Sequence, residues 1–167
     1  MQNLVSEEFV LDASAFYTGI PFLSCTKYYT TSLVFNEIKH INKSYSAVEL
    51  LKDIGDLKVI EPEKQILENV NTIAKKTGDS AKLSSADISI IALALQLKKI
   101  LISDDYAILN IARLLNIPVK TLTTKGITNV RKWITYCYTC GKAFDPNIRE
   151  CSLCGNRLRR RYKKIVR

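Results

Sequence analysis

Four of the five cysteines stand in two pairs near the C-terminus, Cys137-x-x-Cys140 and Cys151-x-x-Cys154, and no other feature limits the fold so sharply. Four thiolates in such pairs suit one tetrahedral, structural Zn²⁺, with a redox dithiol as the alternative. Gly141 and Gly155 each follow the second cysteine of a pair. Glycine there permits the tight turn that brings backbone N–H groups to sulfur. So small a unit cannot fold around its own core. Metal binding, worth ~10–16 kcal/mol in comparable peptides, is expected to supply most of its stability.

The same segment holds the whole net charge of +9: residues 131–167 carry 11 Lys and Arg against 2 Asp and Glu, and residues 1–130 carry 14 of each. The two parts answer to different physics. Residues 1–124 are expected to form a balanced globular domain, 125–132 a linker, 133–160 the cysteine module and 161–167 a basic tail. The start, Met1-Gln2-Asn3-Leu4, lacks the basic-then-apolar pattern of a signal peptide. The longest apolar stretch, Ile88 to Leu97, falls short of the ~20 residues a membrane span needs. No membrane partner is expected, and the chain is read as soluble and cytoplasmic. Cys25, left over from the pairs, is read as a small apolar core residue.

Short apolar runs alternate with helical periods along the first 120 residues. Phe9-Val10-Leu11, Leu57 to Ile60, Ile100-Leu101-Ile102 and Ile117-Pro118-Val119 read as strands. Helices are expected after Thr31-Ser32, from about Ser44 to Gly55, from Pro62 to Gly78, from Ser84, and from Asp104 or Asp105. Strands alternating with helices imply βαβ units, hence an α/β fold with a mainly parallel sheet flanked by helices.

In such a sheet, ligands bind beyond the carboxyl ends of the strands. Asp12 ends the first strand and Asp104-Asp105 follow the strand at 100–102; Glu37 and Asp87 are placed near helix starts on the same edge. Gathered carboxylates repel each other unless protons or cations neutralise them. Hard oxygen ligands favour Mg²⁺ or Mn²⁺, which activate water for in-line attack on phosphate. Each residue also has a plain structural reading: Asp87 completes a capping box with Ser84, Asp104 caps a helix, Glu37 is a solvated helix residue. Asp12 resists such a reading, because a carboxylate directly after a buried strand is costly unless something satisfies it.

Other chemistries are disfavoured. Six glycines form neither G-x-G-x-x-G nor a P-loop, so no nucleotide cofactor is expected. His40 is the single histidine, which argues against a Ser-His triad or histidine-based zinc hydrolysis. Tyr28-Tyr29 reads as strand packing more readily than as a base-stacking pair. In the C-terminal segment, Arg131, Lys132, Arg157, Arg159, Arg160, Arg161, Lys163 and Lys164 are interleaved with Tyr138 and Phe144. Cations for phosphates beside aromatics for bases describe an RNA-binding surface, with a solvated solubilising tail as the alternative.

The acidic residues also line up with a family. Val10-Leu11-Asp12-Ala13-Ser14-Ala15-Phe16 resembles the opening strand of PIN-domain ribonucleases. Thr31-Ser32-Leu33-Val34-Phe35-Asn36-Glu37-Ile38, Leu83-Ser84-Ser85-Ala86-Asp87-Ile88-Ser89 and Ile102-Ser103-Asp104-Asp105-Tyr106-Ala107-Ile108 resemble their second, third and fourth motifs. The addition of a C-terminal zinc ribbon resembles the Nob-type endonucleases of ribosome biogenesis, in an archaeal-like form. The resemblance implies a PIN-like domain and a metal-dependent endoribonuclease that matures the 3′ end of the small-subunit ribosomal RNA precursor. The implied partners are that precursor and the assembling small ribosomal subunit. Asp12, Glu37, Asp87 and Asp105 match the acidic quartet, Asp104 is an additional or alternative ligand, and Ser14 and Ser103 match hydroxyl positions. Ser103 replaces a threonine common in the family, and Ser152 stands where proline is frequent. Two other readings fit these residues: a toxin-type PIN ribonuclease, and a non-enzymatic RNA-binding adaptor of the ribosome.

Overall fold

Phe9–Leu11 forms β1, with all three side chains buried, as befits a continuous apolar run covered on both faces. The computed structural model describes residues 7–23, 26–40, 45–122, 130–146 and 148–165. Around β1 lie β2 (Tyr28–Thr30), β3 (Leu57–Val59), β4 (Ile100–Ile102) and β5 (Val119–Lys120). They make one sheet of order β3-β2-β1-β4-β5, and every pairing is parallel. The chain winds outward from β1 to β3, then returns to β4 on the other side. The crevice between β1 and β4 is therefore the switch point, where ligands bind in open α/β sheets.

Helices α1 (Ala13–Tyr17), α2 (Ser32–Glu37), α3 (Tyr45–Asp53), α4 (Lys64–Thr77), α5 (Ser85–Leu97) and α6 (Tyr106–Leu114) supply the crossovers. The five-residue α1, followed by a 3-10 turn at Ile20–Phe22, carries no helical period in its sequence and was not foreseen. Tyr28 and Tyr29 are buried in β2, in keeping with strand packing. The expected strand at 117–119 is displaced to Val119–Lys120, although the Pro118 carbonyl still accepts from the Leu101 N–H at 2.9 Å.

α5 is apolar all round, and Ile90, Ile91, Leu93 and Ala94 are wholly buried. Such a helix is stable only in the middle of a protein. Each fully buried aliphatic side chain contributes about 1.5–3 kcal/mol. The Glu63 N–H, at the start of α4, donates to the Gln96 side chain near the end of α5 at 2.7 Å. The two packed helices thus run antiparallel, and Gly78, the left-handed cap of α4, leads through residues 79–84 straight into α5.

The C-terminal segment forms a second, antiparallel sheet of order β7-β6-β8, from β6 (Val130–Tyr136), β7 (Ala143–Phe144) and β8 (Arg159–Ile165). β6 takes in residues 130–132 of the expected linker, and β8 takes in the expected tail as far as Ile165. The register is continuous from Val130↔Ile165 to Tyr136↔Arg159, with the cysteine turns closing the far end. This ribbon packs through β6 on α4 and α6. Cys25, residues 125–129 and Arg167 lie outside the described residues, as do the side chains of Arg131, Lys132, Lys163 and Lys164. Among the described residues no helix is long and apolar enough to cross a membrane.

Candidate active site and cysteine cluster

Parallel pairing of Leu11 with Ile102 brings the residues after β1 and β4 side by side. Asp12 is 5% exposed, and its Oδ2 accepts from Ser103 Oγ at 2.8 Å and Ser14 Oγ at 3.0 Å. These two hydroxyls supply the satisfaction that a carboxylate behind a buried strand requires. They in turn accept backbone N–H groups: Ser14 Oγ from Asp104 at 3.2 Å, and Ser103 Oγ from Asp105 at 3.1 Å. The turn after β4 is thereby tied to the turn after β1.

Asp87 joins a capping box, as its plain reading holds; the cap of α6 is Asp105, and not Asp104 as that reading had it. Asp87 Oδ2 accepts the Ser84 N–H at 2.7 Å while its own N–H donates to Ser84 Oγ at 3.1 Å, a reciprocal capping box. Asp105 Oδ1 accepts the N–H groups of Ala107 at 2.6 Å and Ile108 at 3.4 Å. Capping and site-building are compatible, because each cap uses one carboxylate oxygen. Asp12, Asp87 and Asp105 share one pattern: in each, a carboxylate oxygen is held by hydrogen bonds from the protein.

The two adjacent aspartates differ in their partners. Asp104 turns to the far side of β4, where its Oδ1 accepts the Leu122 N–H at 2.8 Å. Asp105 faces the crevice closely enough for its charge to act on Asp87. Glu37 is the last residue of α2 and not near its start, contrary to the expectation. It still reaches the cluster because six residues of helix advance only about 9 Å. Thr31, read as a capping residue and the N-cap of α2, also holds that helix against α5 through Ser89, to which sequence reasoning gave no role: their buried hydroxyls lie 2.7 Å apart. A serine within the apolar run 88–95 was the available signal.

The electrostatics are those of crowded acids. Burial raises the Asp87 carboxyl above the ordinary carboxylate range; its two Ser84 hydrogen bonds oppose the shift, and the charges of Asp12 and Asp105 add to it. Burial also raises Glu37, with repulsion from Asp87 and then Asp12. Four carboxylates from four elements thus share one field. Mutual repulsion of this kind suits a hard divalent cation.

In the ribbon, the sulfurs of Cys137, Cys140, Cys151 and Cys154 all lie within 4.8 Å of one another. The separations Cys137–Cys154, Cys140–Cys151 and Cys140–Cys154 are 3.5, 3.9 and 3.2 Å. A tetrahedron with Zn–S bonds of about 2.3 Å has edges of about 3.8 Å. The two cysteine turns repeat one geometry: Gly141 (φ +70) donates to the Cys137 carbonyl and Gly155 (φ +68) to the Cys151 carbonyl, both at 2.9 Å. The Cys140 N–H chiefly holds the Cys137 thiol down at about 6, while a shared hydrogen bond with Cys154 pushes Cys140 up to about 12. Four sulfurs this close cannot all ionise without a cation between them.

The ribbon's basic side chains divide by face, because successive strand residues point oppositely. The Arg159 guanidinium lies 4.9 Å from the Tyr138 ring centre, and that of Arg161 lies 4.7 Å from Tyr136. Arg160 points the other way, over Trp133 at 4.7 Å, and donates to the Gly78 carbonyl of the first domain. Arg157 is exposed beside the cysteine turns, and Phe144 is half-buried in β7.

Residues 9–97 match the family described as the PIN domain of ribonuclease. "Endoribonuclease Nob1" of Pyrococcus abyssi is 39% identical over 92% of this chain and 92% of its own length. "Endoribonuclease Nob1" of Methanocaldococcus jannaschii is 37% identical over 93% of this chain and 78% of its own. The yeast "20S-pre-rRNA D-site endonuclease NOB1" is 38% identical over 42% of this chain and 15% of its own length. With its acidic crevice and cysteine ribbon, the chain belongs to the PIN-domain ribonuclease family, in its Nob1 endoribonuclease branch.

Proposed function

We propose that this chain is a metal-dependent endoribonuclease that matures the 3′ end of the small-subunit ribosomal RNA precursor. The observation that carries the reading is the matched pattern at the switch point. Asp12, Asp87 and Asp105 each have an oxygen fastened by the protein, and the charges of Asp12 and Asp105 act on Asp87. Likeness to relatives named as endoribonucleases, one named for a pre-rRNA site, supports the reaction and the substrate.

Asp12, Asp87 and Asp105 would hold Mg²⁺ or Mn²⁺, with Glu37 beside them in direct or water-mediated contact. When bound, the cation supplies the charge that activates water and steadies the leaving oxygen. Ser14 and Ser103 keep the Asp12 carboxylate in one rotamer, so little reorganisation is left for the reaction. Asp104 serves the scaffold by fastening the turn after β4 to Leu122. No protein nucleophile is needed, and water attack leaves 5′-phosphate and 3′-hydroxyl ends.

One Zn²⁺ held by Cys137, Cys140, Cys151 and Cys154 would close the ribbon. The face with Tyr138, Arg159 and Arg161 would grip single-stranded RNA by stacking and by charge. The assembling small ribosomal subunit, in the cytoplasm, is the setting that fits such a substrate.

The test is cleavage of an RNA spanning the mature 3′ end, with Mn²⁺, by wild type and by Asp12→Asn. Wild type cuts and the variant does not. Equal cleavage by both would remove the active-site assignment, and cleavage by neither would favour a non-enzymatic RNA-binding adaptor.

A further inference from the structure

The ribbon is seated on the loop that leads into α5. Gly78 has φ +76, and a Cβ there would lie 2.6 Å from both Cβ and Cγ of Pro146 and 3.0 Å from Trp133 Cβ. Carbon atoms do not pack that closely, so a glycine lets the two units meet. Arg160 donates to the Gly78 carbonyl. Its guanidinium and the Lys82 ammonium each lie 4.7 Å from the Trp133 ring centre, one cation from each unit on the same indole. Tyr162 packs edge-on to that ring at 5.7 Å.

This loop is braced by the two helices whose starts carry Asp87 and Asp105. At its far end Ser84 opens the capping box with Asp87 on α5. Within it, buried Asp79 accepts from Asn110 Nδ2 at 2.7 Å, and Asn110 belongs to α6, the helix capped by Asp105. A contact made at Gly78 is thus tied to Asp87 and Asp105 through packed elements. The strand alternation does the rest. With Arg160 and Tyr162 turned to the seat, Arg159 and Arg161 are held on the opposite face.

We propose that Gly78, Lys82, Trp133 and Arg160 form a registering seat that determines which phosphodiester of a gripped RNA is cut. They are positioning residues, acting through the ribbon. The inference rests on the endoribonuclease reading. A seated ribbon holds its grip at one distance from the carboxylates. An unseated ribbon lets the strand slide and lowers the effective concentration of the scissile phosphate at the site.

The experiment uses the full, zinc-loaded chain with Mn²⁺ and two labelled RNAs: a long single strand, and an oligonucleotide too short to reach the ribbon. Gly78→Ala and Trp133→Ala are compared with Gly55→Ala, a control with similar backbone strain (φ +82) but no atom within 4 Å of the added Cβ. Both seat variants are expected to spread the cut over neighbouring phosphodiesters. They should raise KM for the long RNA on the order of tenfold or more, leaving kcat on the short one unchanged. Gly55→Ala keeps the wild-type pattern. Pairing Gly78→Ala with Pro146→Gly removes the two shortest contacts, leaving Trp133 Cβ at 3.0 Å, and is expected to narrow the cut again. Trp133→Ala carries the test if Gly78→Ala does not fold, which zinc content and circular dichroism report. Wild-type cut position and KM in the seat variants overturn the inference. So does a ribbon that NMR relaxation shows still seated in both, since these contacts then do not hold it. Absence of cleavage by wild type would instead fail the endoribonuclease reading.

Discussion

Ser103 donates its hydroxyl to Asp12 Oδ2 at 2.8 Å, joining the ends of two neighbouring parallel strands. Both side chains are buried, so the bond fixes a charge where water does not compete for it. Ser14 donates to the same oxygen, so both hydroxyls hold the carboxylate through Oδ2. The carboxylate is therefore set in place by two serine hydroxyls.

Removing that hydroxyl tests the arrangement. Ser103→Ala should lower Mn²⁺ affinity about 10–100-fold, the usual effect of losing a group that orients a ligand. It should also cost about 1.5–3 kcal/mol of stability, because a buried carboxylate loses a donor. Ser103→Thr retains the hydroxyl and should retain the affinity. Calorimetric titration with Mn²⁺ reads this directly, and wild-type affinity in the alanine variant would refute it.

A second outcome concerns pH. Asp87 and Glu37 are both raised, by burial first and by neighbouring carboxylates next. A raised carboxyl favours folding while it is protonated. That contribution is whole below the unfolded pKa and is lost as pH rises through the folded value. Without added Mg²⁺ the first domain should therefore lose stability on leaving the ordinary carboxylate range upward. With Mg²⁺ the loss should be offset, since the cation binds the ionised pair. Melting temperatures with and without Mg²⁺ should diverge as pH rises through the raised values and converge below them. A constant gap would count against the shared field.

What the sequence displayed, and what it hid, follows from where the information sits. β1, β4 and α4 to α6 were legible because each buries an apolar run or stripe and ends on a capping residue. Asp12 was legible because a carboxylate after a buried strand demands partners. Three features depended on distant contacts. Glu37 was placed near a helix start because the length of α2 is not encoded locally. Asp104 and Asp105 differ only in what lies beside them, Leu122 or Asp87. Arg161 to Ile165 read as part of a basic tail, since a basic run has no strand preference of its own. It becomes a strand because the cysteine turns deliver it in register to β6, and Arg159, Arg160 and Arg161 each find an aromatic ring on alternating faces.

Loss of zinc should be visible at the seat. Trp133 is the only tryptophan, and it lies between Lys82 and Arg160. Cys137→Ser removes a wholly buried ligand, and a tetrahedral site lacking one thiolate is not expected to hold the ribbon closed. Tryptophan emission should shift to the red, zinc content should fall, and the unfolding transition of the first domain should persist. A zinc chelator applied to wild type should give the same shift. Unchanged emission after complete zinc removal would mean that the ribbon stays closed and seated without metal.

The two members of the Tyr138–Arg159 pair should fail in different ways. Tyr138 is 58% exposed beneath a guanidinium, a surface on which a base can stack. Tyr138→Ala should cost about 1–3 kcal/mol in binding single-stranded RNA, with no change in salt dependence, because stacking releases no counterions. Arg159→Ala should flatten the plot of log affinity against log salt by about 0.7, the contribution of one phosphate on a single strand. Fluorescence anisotropy at several salt concentrations, using a catalytically dead Asp12→Asn background, separates the two. If Arg159→Ala leaves the slope unchanged while Tyr138→Ala still weakens binding, the arginine does not contact phosphate. Its work is then to hold the ring flat for the base.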